Sequence, residues 1–161
     1  MIKFTIVTIT YNAADVFMRT ADSVARQTYA AVEHLIIDGA SSDGTQNMAE
    51  EYKKASNAAC NGHEVRIISE PDKGLYDAMN KGRRLATGDY VCFLNAGDFF
   101  PSADTLDVIA ANARLEECSS EGKPLPGVLY GDTDWVDNDG NYMSRRRLTP
   151  PEKLTWRSFR H

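Results

Sequence analysis

Four short polar groups, each directly after an apolar run, carry the residue types that could do chemistry: Thr10-Tyr11-Asn12, Asp38-Gly39, Asp72-Lys73-Gly74 and Asn95-Ala96-Gly97-Asp98. They combine the carboxylates of Asp38, Asp72 and Asp98 with glycines that let a backbone approach a ligand closely. A carboxylate such as Asp98, after a short turn, suits a hard divalent cation. Mg2+ and Mn2+ are commonly held by one or two carboxylates, with phosphate oxygens and water completing the shell. An ion there would neutralise a diphosphate that a chain of 18 Lys plus Arg against 23 Asp plus Glu, formal charge -5, otherwise repels. It would also stabilise charge on a departing diphosphate. The alternative is that these Asp residues merely cap helices, since strand-end loops are polar anyway.

Other chemistries fail on spelling. A dinucleotide fingerprint G-x-G-x-x-G belongs directly after the first strand, where this chain has Tyr11-Asn12-Ala13-Ala14, so NAD or FAD is disfavoured. Gly39 and Gly44 have P-loop spacing, but Thr45 and Gln46 stand where Lys and Ser or Thr are required. His34, His63 and His161 show no H-E-x-x-H spacing, and G-x-S-x-G is absent. The acidic balance disfavours a nucleic-acid partner held by a basic surface. Cys60, Cys92 and Cys118, with no C-x-x-C pair, favour buried thiols in a reducing compartment. With neither a signal peptide nor a membrane-length apolar run, the sequence reads as cytoplasmic.

The elements that must position these groups follow from periodicity. At 161 residues, with 42% hydrophobic and 25% charged, the chain has the size and composition of a single globular domain. Strands are expected at 2–10, 32–37, 65–68 and 90–94, and helices at 14–27, 45–58 and from Leu75 to Leu85. Strands and helices in alternation predict an α/β fold with a mainly parallel sheet covered on both faces. The polar groups then emerge along one edge of that sheet, where open α/β folds bind ligands. Beyond it, a helix over 103–117 capped by Ser102, a loop at 119–127, a strand at 128–131 and a hairpin of 133–136 with 142–145 are expected. Nothing after Leu148 forms a convincing element.

Ile9-Thr10-Tyr11-Asn12, Gln27-Thr28-Tyr29, Asp38 through Thr45, Asp72 through Asn80 and Ala86-Thr87-Gly88-Asp89-Tyr90, in that order, resemble glycosyltransferase family 2 with its GT-A fold. The resemblance spans about residues 3 to 100. It implies an inverting transferase that moves a sugar from a nucleotide-diphosphate donor to a hydroxyl of a glycan or lipid-linked acceptor, as in polysaccharide or cell-envelope assembly, with Mn2+ or Mg2+. It also implies residue roles. Thr8, Thr10 and Tyr11 would line the nucleoside pocket and Asp38 would accept from base or ribose. Asp72, Lys73 and Gly74 would border ribose and diphosphate, with Asn80 nearby. Asn95 and Gly97 would flank Asp98, the metal ligand. Residues 1–100 would then be the donor-binding part of a single 1–161 domain, and 101–161 a helix and the start of an incomplete acceptor-side part.

Two departures matter. The family's Asp-x-Asp-Asp reads Asn95-Ala96-Gly97-Asp98 here, so one carboxylate remains for the metal. The chain also stops at His161, and the resemblance implies that the region carrying the general base lies beyond that point. Asp132 and Asp134 are candidate bases, with turn formation as the competing role. Arg145-Arg146-Arg147 could meet a phosphorylated lipid acceptor or the inner face of an anionic membrane, or be a solvated patch. Apolar surface exposed near 128–161 would favour a homodimer.

Overall fold

In the computed structural model, residues 1–129, 131–137 and 139–146 are described. Phe4–Thr10 (β1) and Val32–Asp38 (β2) are buried along their whole lengths, as near-continuous apolar runs must be when both faces of a sheet are covered. Glu64–Ser69 (β3) and Tyr90–Phe93 (β4) flank them in the order β3-β2-β1-β4, all pairs parallel. Between the strands come Phe17–Ala25 (α1), Thr45–Ala59 (α2) and Leu75–Leu85 (α3).

One face of the sheet packs Ile36 and Val65 against Phe17 and Ala21 of α1 and Ala49 and Tyr52 of α2. The other packs Val7, Ile9, Leu35 and Ile37 against Ala78 of α3. This is the doubly covered α/β arrangement the alternation predicts. The chain runs outward from β1 to β3, then crosses back to place β4 on the other side of β1. The strand order therefore reverses at β1, and ligand crevices of open α/β sheets form outside the carboxyl ends at such a reversal.

The helix expected over 103–117 is two: Thr105–Asn112 (α4) and Leu115–Ser120 (α5), broken at Arg114, whose φ is 53°. A continuous helix would turn Leu115 away from the inward stripe of Leu106 and Ala110. The break lets Leu115 bury completely. Thr133–Val136 (β5) and Tyr142–Arg146 (β6) form the antiparallel hairpin read from sequence, whereas Val128, Leu129 and Gly131 are not in a strand. The expected absence of structure after Leu148 lies outside the described residues.

Two compact units result, 1–126 and 127–161. The first holds the parallel sheet and its helices. In the second, Trp135, Tyr142 and Met143 are exposed, and Arg146 lies over the Trp135 ring at 5.9 Å.

Candidate functional site

At the carboxyl ends of β1 and β2, Ile9, Thr10, Tyr11, Gly39, Pro71, Asp72, Gly74, Leu75 and Ala78 line a crevice of about 520 Å3. That volume suits a small organic ligand. Each element contributes for a local reason. Tyr11, past the last residue of β1, is two-thirds exposed and offers an aromatic face. Gly39, bonded through its amide to the Thr10 carbonyl (2.9 Å), sits where a Cβ would lie 3.1 Å from the Tyr11 ring and 3.4 Å from Asp72 Oδ2. The absent side chain keeps that slot open. Leu75 and Ala78 come from the first turn of α3.

The crevice is chemically unfinished. Thr10 is almost wholly buried, yet its Oγ1 has no hydrogen-bond partner among the described residues. Buried hydroxyls are normally paired, so this one, on a residue that borders the crevice, keeps hydrogen-bonding capacity. Asp72 directs Oδ1 to Lys81 Nζ at 2.5 Å, while Oδ2 faces the Gly39 slot.

On the other flank of β1, the loop 95–98 continues from β4. The Ala96 amide bonds the Ile9 carbonyl (3.0 Å), and Thr20 of α1 holds the loop through the Gly97 amide (2.9 Å) and the Asp98 carbonyl (2.7 Å). Gly97 takes φ 101°, a conformation that strains any residue with a side chain, and its carbonyl accepts from Arg19 Nε at 3.1 Å. The loop presents an exposed Asp98. Asn95 Oδ1 is buried without a partner among the described residues.

The residues predicted from sequence are thus sorted by the fold. Thr10, Tyr11, Asp72 and Gly74 line the crevice together, and Asn95, Gly97 and Asp98 share the adjacent loop. Thr8 does neither. It is fully buried, with Oγ1 2.9 Å from His34 Nε2, whose other ring nitrogen meets the Tyr52 hydroxyl at 2.8 Å. Burial, with the charge of His63 adding to it, pushes His34 down to about 3. Asp38 also lies behind the surface. Its carboxylate accepts from the Ser41 amide (3.0 Å) and hydroxyl, Gln46 Nε2 (3.0 Å) and Ser69 Oγ (2.7 Å), anchoring the 39–44 loop. Burial alone would raise the Asp38 carboxyl, but the bonds from Ser41, Ser69 and Gln46 outweigh it and hold it low. Lys73 and Asn80 are exposed and do not line the crevice.

Asp132 and Asp134 both pair with Arg145, at 3.2 and 3.3 Å. Of the basic run, Arg145 is therefore engaged, Arg146 sits on Trp135, and Arg147 lies outside the described residues.

The residue sequence reasoning missed is Lys81. The inward stripe of α3, Ala78, Lys81 and Gly82, contains it, and a lysine on an apolar stripe was the available signal.

No group of three or more His, Cys, Asp or Glu able to hold a metal occurs among the described residues. The donor set beside β4 still fits a hard cation of the Mg2+ type, which takes one or two carboxylates and completes its shell from substrate phosphate and water. Asp98 supplies an exposed carboxylate, and Asn95 of the same loop a buried amide oxygen with no partner among the described residues.

The family model for glycosyl transferase family 2 matches residues 5–155. The chain is 42% identical over 129 residues to a PGL/p-HBAD biosynthesis glycosyltransferase of Mycobacterium bovis, covering 80% of this chain and 46% of that one. It is 32% identical over 167 residues to the uncharacterized glycosyltransferase YibD of Escherichia coli K12, covering 91% and 46%. Among solved structures, it superposes on the mannosyltransferase PcManGT of Pyrobaculum calidifontis, in complex with GDP-Man and Mn2+, with a TM-score of 0.58 and 27% identity over 65% of this chain and 30% of that one. The chain spans about half the length of the curated relatives it matches. With a doubly covered parallel sheet, a crevice at the carboxyl ends of its strands and a match over nearly all of its residues, the chain belongs to glycosyl transferase family 2.

Proposed function

We propose that this chain is the donor-binding part of an inverting, metal-dependent hexosyltransferase that transfers a sugar from a nucleotide diphosphate to a hydroxyl of a glycan or lipid-linked acceptor. The observation that carries this reading is a crevice lined by Thr10, Tyr11 and Asp72 at the carboxyl ends of the strands, beside a loop that exposes Asp98. The solved mannosyltransferase, in complex with GDP-Man and Mn2+, supports the donor class.

In this reading Tyr11 stacks on the nucleobase, Thr10 bonds the nucleoside, and Asp72 Oδ2 accepts from a base or ribose donor through the Gly39 slot. Asp98, with Asn95 beside it, would hold Mn2+ or Mg2+ against the diphosphate. The bound ion would supply charge neutralisation as the diphosphate departs. Thr20 and Arg19 fix the loop backbone, so the Asp98 carboxylate is presented without reorganisation. Inversion also needs a base on the opposite face of the sugar. The carboxylates of Asp132 and Asp134 are held by Arg145 in the second unit, and a base role for either requires releasing it.

A cytoplasmic location with contact at the inner face of the membrane belongs to the same proposal. Among the described residues, no helix is long and apolar enough to cross a membrane. Exposed Trp135, Tyr142 and Met143 support a homodimer or a peripheral membrane contact.

The test is calorimetry of the chain with UDP- and GDP-sugars plus Mn2+, with product analysis for hydrolysis or transfer. Asp98→Ala should weaken Mn2+-dependent donor binding by about tenfold or more, while stability stays within about 0.5 kcal/mol because the residue is exposed. Unchanged affinity in that variant removes the metal role. Binding without turnover selects a nucleotide-sugar binding module instead of an enzyme.

A further inference from the structure

We infer that Lys81 is a positioning residue for the crevice: its ammonium clamps the two carboxylates of the loop between β3 and α3, so that Asp72 is presented to a bound nucleotide. The inference deepens the functional reading above and rests on it for the identity of the ligand. Lys81 Nζ lies 2.5 Å from Asp72 Oδ1 and 2.8 Å from Glu70 Oε1. The Lys81 side chain is 11% exposed and that of Asp72 9%, whereas Glu70 is half exposed. A nearly buried ammonium between two carboxylates is a costly arrangement, since charges leave water only when paired with good geometry. Burial alone would lower the lysine pKa, but the bonds from Asp72 and Glu70 outweigh it and raise it, so the group stays charged.

The position of the ammonium is set by the fold. Gly82, the next residue, presses α3 onto β1 so closely that a Cβ there would overlap Val7 Cγ1. With α3 pinned against the sheet, Lys81 reaches back nine residues to the wall of the crevice. A second link, the Lys73 amide on Asp77 Oδ2 at 3.1 Å, ties the same loop to the same helix. The Glu70 amide bonds the Asp38 carbonyl at 3.0 Å, which joins the loop to β2.

Two consequences follow for a ligand. With Oδ1 committed to Lys81, Asp72 keeps Oδ2 as an acceptor fixed beside Gly39 and Tyr11. The ammonium also offsets negative charge next to a crevice that must admit a diphosphate. Without it, Glu70 and Asp72 would repel the ligand, and Asp72 would be free to turn toward water.

The experiment is a pair of double-mutant cycles on the full chain with Lys81→Met and Asp72→Asn, one read by urea unfolding without ligand and one by calorimetry with UDP and with GDP in Mn2+. In unfolding, the two changes should be non-additive, the double variant being no less stable than the worse single one. In binding, Lys81→Met should weaken nucleotide affinity about tenfold in the wild-type background and by less than about twofold in the Asp72→Asn background. A lysine that only supports the fold would lose affinity equally in both backgrounds, and that result overturns the positioning role. Additive unfolding overturns the clamp itself. Wild-type chain that binds neither nucleotide overturns the functional reading, and the unfolding cycle then still decides the clamp. Should Lys81→Met not fold, Glu70→Gln removes the exposed partner alone. It should lower the urea midpoint without weakening binding, and an unchanged midpoint there overturns the two-carboxylate clamp.

Discussion

At the edge where the parallel strands begin, Glu33 is fully buried and accepts from Thr5 Oγ1 (2.6 Å), Arg66 Nη1 (2.6 Å) and the Thr87 amide (2.8 Å), while the Gly88 amide donates to Thr5 Oγ1 (2.9 Å). At the edge where they end, Thr10 Oγ1 and Asn95 Oδ1 are buried with no partner among the described residues, and Asp98 is exposed. Both edges carry segments of the family resemblance, since Ala86 through Tyr90 belongs to the first edge and Thr10 through Asn12 to the second. The first edge closes the start of β4 onto β1, with the Lys3 backbone amide donating to the Asp89 carboxylate. Around Glu33 the bonds close on one another, whereas Thr10 and Asn95 keep polar capacity among the described residues. A segment shared with a family can serve architecture or chemistry, and hydrogen-bond saturation separates the two.

Cutting the first edge should have the largest effect. Glu33→Ala strips Arg66, Thr5 and the Thr87 amide of their acceptor, and should cost about 3–4 kcal/mol in urea unfolding, a figure discounted for the partial exposure of Arg66. Nucleotide affinity of the folded fraction should not change. A loss of affinity without a loss of stability would break the division between the edges.

Acid sharpens the same division from inside the core. Unfolded chain protonates His34 near 6.5, while the folded protein resists until about 3, so the unfolded state binds more protons in that window. Stability is therefore present above pH 6.5 and is lost as pH falls toward 3, by about 3 kcal/mol at pH 4. The depressed carboxyls of Glu33 and Asp38 add loss of the same sign at lower pH. Urea midpoints at pH 7 and 4 check this, and His34→Gln should flatten the profile. An equally steep slope in that variant would remove His34 as the cause.

The finest test compares two threonines on one face of β1. Thr8→Val leaves His34 Nε2 without its partner and should cost about 1–2 kcal/mol. Thr10→Val deletes an unpaired hydroxyl and should be neutral or slightly stabilising in unfolding, while weakening nucleotide binding. Equal destabilisation by both would mean that Thr10 is saturated in solution, and the unfinished crevice would disappear.

Much of the fold was legible because burial leaves a periodic trace. The apolar runs at 2–10 and 32–37 read as strands of a sheet covered on both faces, and the polar groups after them as one sheet edge; the structure has them as Phe4–Thr10 and Val32–Asp38. The break at Arg114 was not legible, because a helical pattern records which residues are apolar and not where a tertiary contact rewards turning one of them inward. The site was legible as residue types. Thr8, Thr10 and Asp38 look alike in sequence as polar residues at strand ends, yet Thr8 is closed by His34, Asp38 by Ser41, Gln46 and Ser69, and Thr10 by nothing described.

By itself, the sequence determined the alternation of strand and helix, the edge on which polar groups gather, and the family, because each depends on local periodicity or on ordered short segments. Tertiary structure alone decided which of those polar groups remain available. Availability depends on whether a residue far along the chain, such as Lys81 against Asp72 or His34 against Thr8, arrives at hydrogen-bond distance, and a one-dimensional pattern holds no record of that distance.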